Sequence, residues 1–245
     1  MQHSILEGKA EDLSKLGFCI LEFVHDQDAI THQEELLYSE WVRRGKPELS
    51  GFGLGIHPLL QFVPDIIQYF DCPEVNTVLE LAFGSPARLC HTGARIANED
   101  SAENIGWHHH YGWDTDQLPL REKIERVVVN FYVKGVSPSN GSLWTIPRWV
   151  GDHLDPLIGE KDKARPGQTE VSVPPGSAVI LDTAVYHTAT RGNEPGMRYH
   201  WGGHYQGWAN KRPHGEDMDM SEVQQQDEIL NKYPGLRRLV IANDP

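Results

Sequence analysis

Residues 106–114 of the chain read Gly-Trp-His-His-His-Tyr-Gly-Trp-Asp. In an extended segment alternate side chains share a face, so His108 and His110 project together and His109 projects the opposite way. Neutral imidazole ligates iron, zinc, copper or nickel, and two imidazoles one strand repeat apart suit a single ion. On its own the run equally suits a polar surface strand or a hydrogen-bonded core. Its place inside the chain excludes a terminal purification tag. A further imidazole, His187, lies about eighty residues downstream.

The elements that must position these residues follow from the patterning. A helical opening from Leu13 runs into a short strand at 17–23. Asp26 or Asp28 is placed to cap a helix whose apolar positions Ile30, Leu36, Leu37 and Trp41 recur at helical spacing. Pro47 and the glycines at 51, 53 and 55 break the pattern and mark a mobile loop. Helices are expected at 58–70 and 74–83, the second stopped by Gly84-Ser85-Pro86. Past Pro86 strands dominate: 88–96, the histidine segment, 126–134, 142–146, 171–173, 177–181, 186–190 and 197–206. Residues 126–134, Arg-Val-Val-Val-Asn-Phe-Tyr-Val-Lys, are apolar on both faces, as a strand covered on two sides requires. Residues 148–158 read as helical, and from 221 the chain is polar and helical. Helices followed by about eight strands give a mainly β fold with flanking helices. The expected form is a double-stranded β-helix, jelly-roll or cupin-like, with an α-helical N-terminal layer. Residues 1–245 are read as one domain: a helical layer over 1–86, a jelly-roll core over 87–207 and a polar helical extension over 208–245.

Composition narrows the function. A formal net charge of −13 argues against phosphate-driven nucleic-acid binding and against an anionic membrane surface. No window approaches the roughly 18 apolar residues of a membrane span, and residues 1–12 have no apolar core of signal-peptide length. Cys19, Cys72 and Cys90 are odd in number and widely spaced, which fits inert thiols in a reducing cytoplasm. The expected partner is a small molecule.

Several strings then line up in order. Trp107-His108-His109-His110 resembles the Trp-His-x-Asp metal strand of the phytanoyl-CoA dioxygenase-like family of iron(II)- and 2-oxoglutarate-dependent oxygenases. Residues 139–147, Ser-Asn-Gly-Ser-Leu-Trp-Thr-Ile-Pro, resemble its Asn-Gly-…-Pro segment. Residues 175–182, Pro-Gly-Ser-Ala-Val-Ile-Leu-Asp, resemble the strand before its second metal histidine. His187, Asn193 and Arg198 resemble its distal histidine and the arginine that anchors 2-oxoglutarate. Leu16-Gly17-Phe18-Cys19-Ile20-Leu21 is similar to its opening strand. The resemblance spans about residues 13–206. It implies iron(II) on His108, His110 and His187, 2-oxoglutarate held by Arg198, dioxygen as oxidant, and hydroxylation of a small metabolite. A facial triad takes two ligands from one strand and the third from a neighbour. A guanidinium is the favoured fork for a carboxylate.

The sequence departs from the family at one ligand, where His110 replaces the carboxylate. Three readings stay open: His110 ligates in a three-histidine centre, Asp114 or another acid supplies the carboxylate, or water fills the position. Neutral imidazole adds one unit of positive charge, which dianionic 2-oxoglutarate partly offsets. A three-histidine oxygenase without 2-oxoglutarate and a non-catalytic binding protein of this fold are the competing functions. Imidazole is too bulky for the chloride of a halogenase.

Around the triad, Arg191 competes with Arg198 for the cosubstrate carboxylate, and Asn130 is a cofactor-contact or structural amide. Arg95, on the strand before the histidines, is read first as a surface ion pair and second as a residue lining the cavity, and no basic channel for a large anion is legible. Trp113, Trp144, Trp149 and Trp201 are core residues before they are pocket residues. His200 and His204 share a strand face that can approach the inner cavity, with supporting or structural roles expected first. His91 and His153 carry no motif. The glycine loop and residues 111–120 are lid candidates.

Overall fold

The computed structural model describes residues 2–101, 105–110, 124–150, 163–210 and 217–241. Two antiparallel sheets face each other, and helices cover the outer side of the larger one. The major sheet has six strands: β1 (Phe18–Leu21), β2 (Leu54–Ile56), β3 (Ala87–Ala97), β5 (Arg126–Tyr132), β8 (Ser177–Asp182) and β10 (Arg198–Gly207), in the order β1-β8-β5-β10-β3-β2. The minor sheet is β4 (Ile105–His108), β9 (His187–Ala189), β6 (Leu143–Thr145) and β7 (Thr169–Val171), in that order. Two opposed sheets of strands distant in sequence make the jelly roll that the patterning predicts.

The helical layer starts earlier than residue 13: α1 runs Gln2–Leu16 and buries Leu6, Ala10 and Leu13. Helix α2 (Gln27–Arg43) is capped by Asp26, whose carboxylate accepts the Ala29 N–H at 2.9 Å. Its buried stripe, Ile30, Gln33, Leu37 and Glu40, follows the i, i+3, i+4 rule. The expected helix over 58–70 divides into α3 (Leu59–Phe62) and a 3₁₀ segment, Pro64–Phe70, because Pro64 has no N–H to continue the ladder. Helix α4 (Pro73–Phe83) starts on a proline and ends on Gly84 in the left-handed region, φ 65°.

Strand β5 shows why its residues are apolar on both faces. Val127, Val129 and Phe131 join the main core under the helices, while Val128 packs with Val179, Leu181, Leu143 and Val171 between the sheets. Trp201 anchors the outer core: it is fully buried, lies 4.4 Å from the Phe131 ring centroid, and donates Nε1–H to Gln33 Oε1 at 2.9 Å. Burying such a side chain contributes on the order of 1.5–3 kcal/mol.

Three further expectations are corrected. Half of the glycine loop is β2, an edge strand with Gly55 opposite Arg95. Arg148–Val150 forms one 3₁₀ turn, and the rest of the helix expected over 148–158 lies outside the described residues. The C-terminal region is not wholly polar: α5 (Ser221–Gln224), α6 (Asp227–Lys232) and α7 (Pro234–Val240) follow in order, and α7 buries Leu236, Leu239 and Val240 in the main core. Among the described residues no helix is long and apolar enough to cross a membrane. Cys19, Cys72 and Cys90 are buried free thiols, and burial pushes their pKa values up to about 12, 12 and 11.

Candidate metal centre

Strands β4 and β9 pair antiparallel with His108 directly opposite His187. His110 follows two residues past His108, where its backbone N–H donates to the Thr183 carbonyl at 2.9 Å. Alternation holds through this stretch: His109 turns away and packs edge-on against Tyr186, at 5.1 Å between ring centroids. One ligand-capable nitrogen from each of His108, His110 and His187 lies within 4.8 Å of the others.

The hydrogen bonds settle which nitrogens face inward. His108 Nδ1 lies 2.8 Å from the Gly106 carbonyl and His187 Nδ1 lies 3.0 Å from the Val185 carbonyl. A ring nitrogen facing a carbonyl must carry the hydrogen, so each Nε2 presents a lone pair. This is the usual outer hydrogen bond of a metal-ligating histidine. His187 Nε2 stands 3.1 Å from His110 Nε2. Two nitrogens each about 2.1 Å from one ion at a right angle stand about 3 Å apart, so the donor set fits a first-row divalent metal. Burial, then the neighbouring His108 and His110, holds His187 well below the usual histidine range, and burial also lowers His108. Both are neutral near pH 7, the form that ligates. Among the described residues no carboxylate joins this set. Asp114, the alternative ligand, Trp113 and the lid candidate 111–120 lie outside the described residues.

The triad opens onto a cavity of about 250 Å³. Its opposite wall is the inner face of β5, β10 and β3. Arg198 begins β10. Its two terminal amino groups donate to the carbonyls of Asn140 and Asn98, and its buried Nε has no partner. Gly141 and Gly192 make the cradle, since a Cβ at either would stand 3.0 Å or 2.6 Å from Arg198 Nη1. A guanidinium has five N–H donors, so several remain for a ligand. Arg191 also borders the cavity but is exposed, and its Nη2 donates to the Glu99 carbonyl at 3.0 Å. Asn130 faces the cavity from β5, opposite Gly202.

The sequence reading missed His57 and His91 on this wall and put a structural role first for His204. His204 lies 5.1 Å from His110 between ring centroids, and His91 lies 5.2 Å beyond His204. Arg126 donates Nε–H to His204 Nδ1 at 3.4 Å and pairs with Asp217 at 2.6 Å. His57 joins His91, with Nδ1 to Nε2 at 3.3 Å. Arg95 is not a surface ion pair; it points into the cavity. Trp144, Trp149 and Trp201 do not line it: Trp201 is core, and Trp149 is 68% exposed.

No family model matches the sequence, and no curated protein matches it. Solved structures do. The non-heme alpha-ketoglutarate-dependent carbocyclase SnoK from nogalamycin biosynthesis superposes with a TM-score of 0.64 at 15% identity, covering 88% of each chain. HygX from Streptomyces hygroscopicus, with nickel and 2-oxoglutarate bound, gives 0.64 at 17% identity over 82% of this chain and 87% of its own. EctD from S. alaskensis, with 2-oxoglutarate and 5-hydroxyectoine, gives 0.67 at 14% identity over 86% and 79%. The chain shares their fold. At such identity the likeness establishes architecture, and the chemistry has to be argued from the site.

Proposed function

We propose that the protein is a non-haem iron(II)- and 2-oxoglutarate-dependent oxygenase of a small molecule, with iron held by His108, His110 and His187. The observation that carries this reading is the pair of Nε2 atoms on His110 and His187, 3.1 Å apart, inside a fold shared with enzymes that bind nickel or iron and 2-oxoglutarate. When bound, the metal and cosubstrate supply oxidative decarboxylation to succinate and carbon dioxide, coupled to oxidation of a substrate C–H bond by dioxygen.

The chain's own residues do the positioning. Val185 and Gly106 carbonyls fix two imidazole tautomers. Arg198, with its spare N–H groups, is assigned the distal carboxylate of 2-oxoglutarate; Asn130 is assigned a polar contact from the same wall. Arg191, exposed and engaged at Glu99, is assigned a lesser share. Val128 and Leu143 form apolar surface that excludes water beside the triad.

Anaerobic calorimetry of the iron-loaded protein tests the assignment. Specific 2-oxoglutarate binding is expected, abolished by Arg198→Ala and only weakened by Arg191→Ala. Iron uptake without any 2-oxoglutarate binding would instead favour an oxygenase that binds its organic substrate directly. Absence of stoichiometric metal uptake would favour a non-catalytic binding protein.

A further inference from the structure

The chain's net charge of −13 does not extend into its cavity. Among the described residues the lining has no aspartate or glutamate, while Arg95, Arg191 and Arg198 all border it. Glu99 offsets part of this charge: its carboxylate acts on Arg198, and its carbonyl accepts from Arg191. Arg95 has no such counterpart. Its Nη1 donates to the Phe52 carbonyl at 2.8 Å, and among the described residues it pairs with no carboxylate. A half-buried cation without an anion is costly unless a ligand supplies one.

The surroundings of Arg95 are built rather than incidental. His200 is its direct partner across the β3–β10 ladder. Among the described residues the His200 ring makes no hydrogen bond, and burial, then Arg95 and His57, pushes its pKa down to about 3. It is therefore a neutral imidazole with an N–H to donate. Gly93, two residues before Arg95 on the same face, leaves room for the His57 ring: a Cβ there would stand 2.4 Å from His57 Cε1. That space lets His57 lie over β3 beside His91. Side chains from two strands, β3 and β10, and from the segment just after β2 thus meet at one side of the cavity, beside the triad.

We propose that Arg95, His57, His91 and His200 form the recognition site for a carboxylate on the primary substrate, which is therefore a small organic anion. This rests on the oxygenase reading above, and charge balance connects the two. With three imidazoles the iron keeps its full double charge, where a carboxylate ligand would remove one unit. Dianionic 2-oxoglutarate matches the metal, and Glu99 offsets one of Arg191 and Arg198, so the cavity keeps a net positive charge and Arg95 stays without a counter-ion among the described residues. A monoanionic substrate places a negative charge opposite Arg95. A cavity of about 250 Å³ lies below the usual range for drug-sized ligands, which suits a compact anion beside the cosubstrate.

The test uses the full chain loaded with redox-inert zinc and saturated with 2-oxoglutarate, titrated with pentanoate, pentanamide and pentylamine. These probes share size and differ in charge. Pentanoate is expected to bind saturably and roughly tenfold or more tighter than pentanamide, with pentylamine weakest. Arg95→Gln and His57→Gln should each weaken pentanoate roughly tenfold while 2-oxoglutarate affinity stays within about threefold. His57 is exposed, so its variant decides the matter if Arg95→Gln fails to fold. Equal binding of acid and amide, no pentanoate binding at millimolar concentration, or competition between pentanoate and 2-oxoglutarate overturns the proposal. Loss of 2-oxoglutarate binding in Arg95→Gln also overturns it, by making Arg95 a cosubstrate residue. If the chain takes up neither metal nor 2-oxoglutarate, the oxygenase reading fails separately. The same titration of the metal-free chain then decides whether an Arg95-dependent anion site exists.

Discussion

His110 and His187 face each other through Nε2 atoms 3.1 Å apart, although His187 has already given its one hydrogen to the Val185 carbonyl through Nδ1. Two imidazoles in that relation are joined either by a hydrogen on His110 or by a shared ion, and the third ring, His108, is oriented for the ion.

Metal loading should therefore stabilise the fold and depend on all three rings. At a nickel(II) concentration a hundred times its dissociation constant, binding contributes about 2.7 kcal/mol, which raises Tm by about 5–10 °C for a chain of this size. His187→Ala and His110→Ala should lose the shift, whereas His110→Asp should retain it because a carboxylate also ligates. An undiminished shift in His187→Ala, measured by differential scanning calorimetry, would rule out the proposed triad.

His25 gives the fold an acid-sensitive point away from the three-histidine cluster. It is buried against Phe131, Tyr69 and Trp201, and burial lowers its pKa from 6.5 to about 4. Between pH 6.5 and 4 the unfolded chain binds this proton and the folded chain does not. Stability is therefore full above 6.5 and falls as the solution is acidified, by about 3 kcal/mol in all. His25→Phe keeps the ring packing and removes the titration. Urea unfolding across that window should show a shallower loss in the variant than in the parent; parallel curves would refute the assignment.

Arg126 holds a buried polar group together. Its side chain is 5% exposed, pairs with Asp217 at 2.6 Å and donates to His204. Arg126→Met should cost about 3 kcal/mol, the low end for a broken buried pair, because Asp217 is 24% exposed and can rehydrate. Adding Asp217→Asn should recover part of the loss. Strictly additive destabilisation in the double variant would mean that the two side chains do not interact.

Trp201 separates packing from hydrogen bonding. Trp201→Ala should cost about 3–5 kcal/mol. Trp201→Phe should cost about 1–3 kcal/mol, since Gln33, itself 1% exposed, loses the indole N–H. Equal losses in the two variants, read from denaturant midpoints, would show that the hydrogen bond rather than the ring's volume dominates.

Period and capping chemistry in the sequence determined much of the local structure. The two-residue alternation put His108 and His110 on one side of their segment, Asp26 or Asp28 and Gly84 bounded helices, and the two apolar faces of 126–134 marked a strand covered on both sides. Motif order was enough to nominate His187 and Arg198 as well. Which face of a strand points inward, however, depends on register and sheet order, and these are set by the packing of the whole chain. That is why Arg95 read first as a surface residue, and why His57 and His91 carried no local signal, while His204 showed only that it shares a strand face with His200. Only the antiparallel register of β3 against β10, with its shift after His204, sets His91 beside His204 and Arg95 beside His200. Edge strand β2 then brings His57 over Gly93. A period of two is a property of the local backbone; the convergence of distant imidazoles on one wall is a property of the folded sheet.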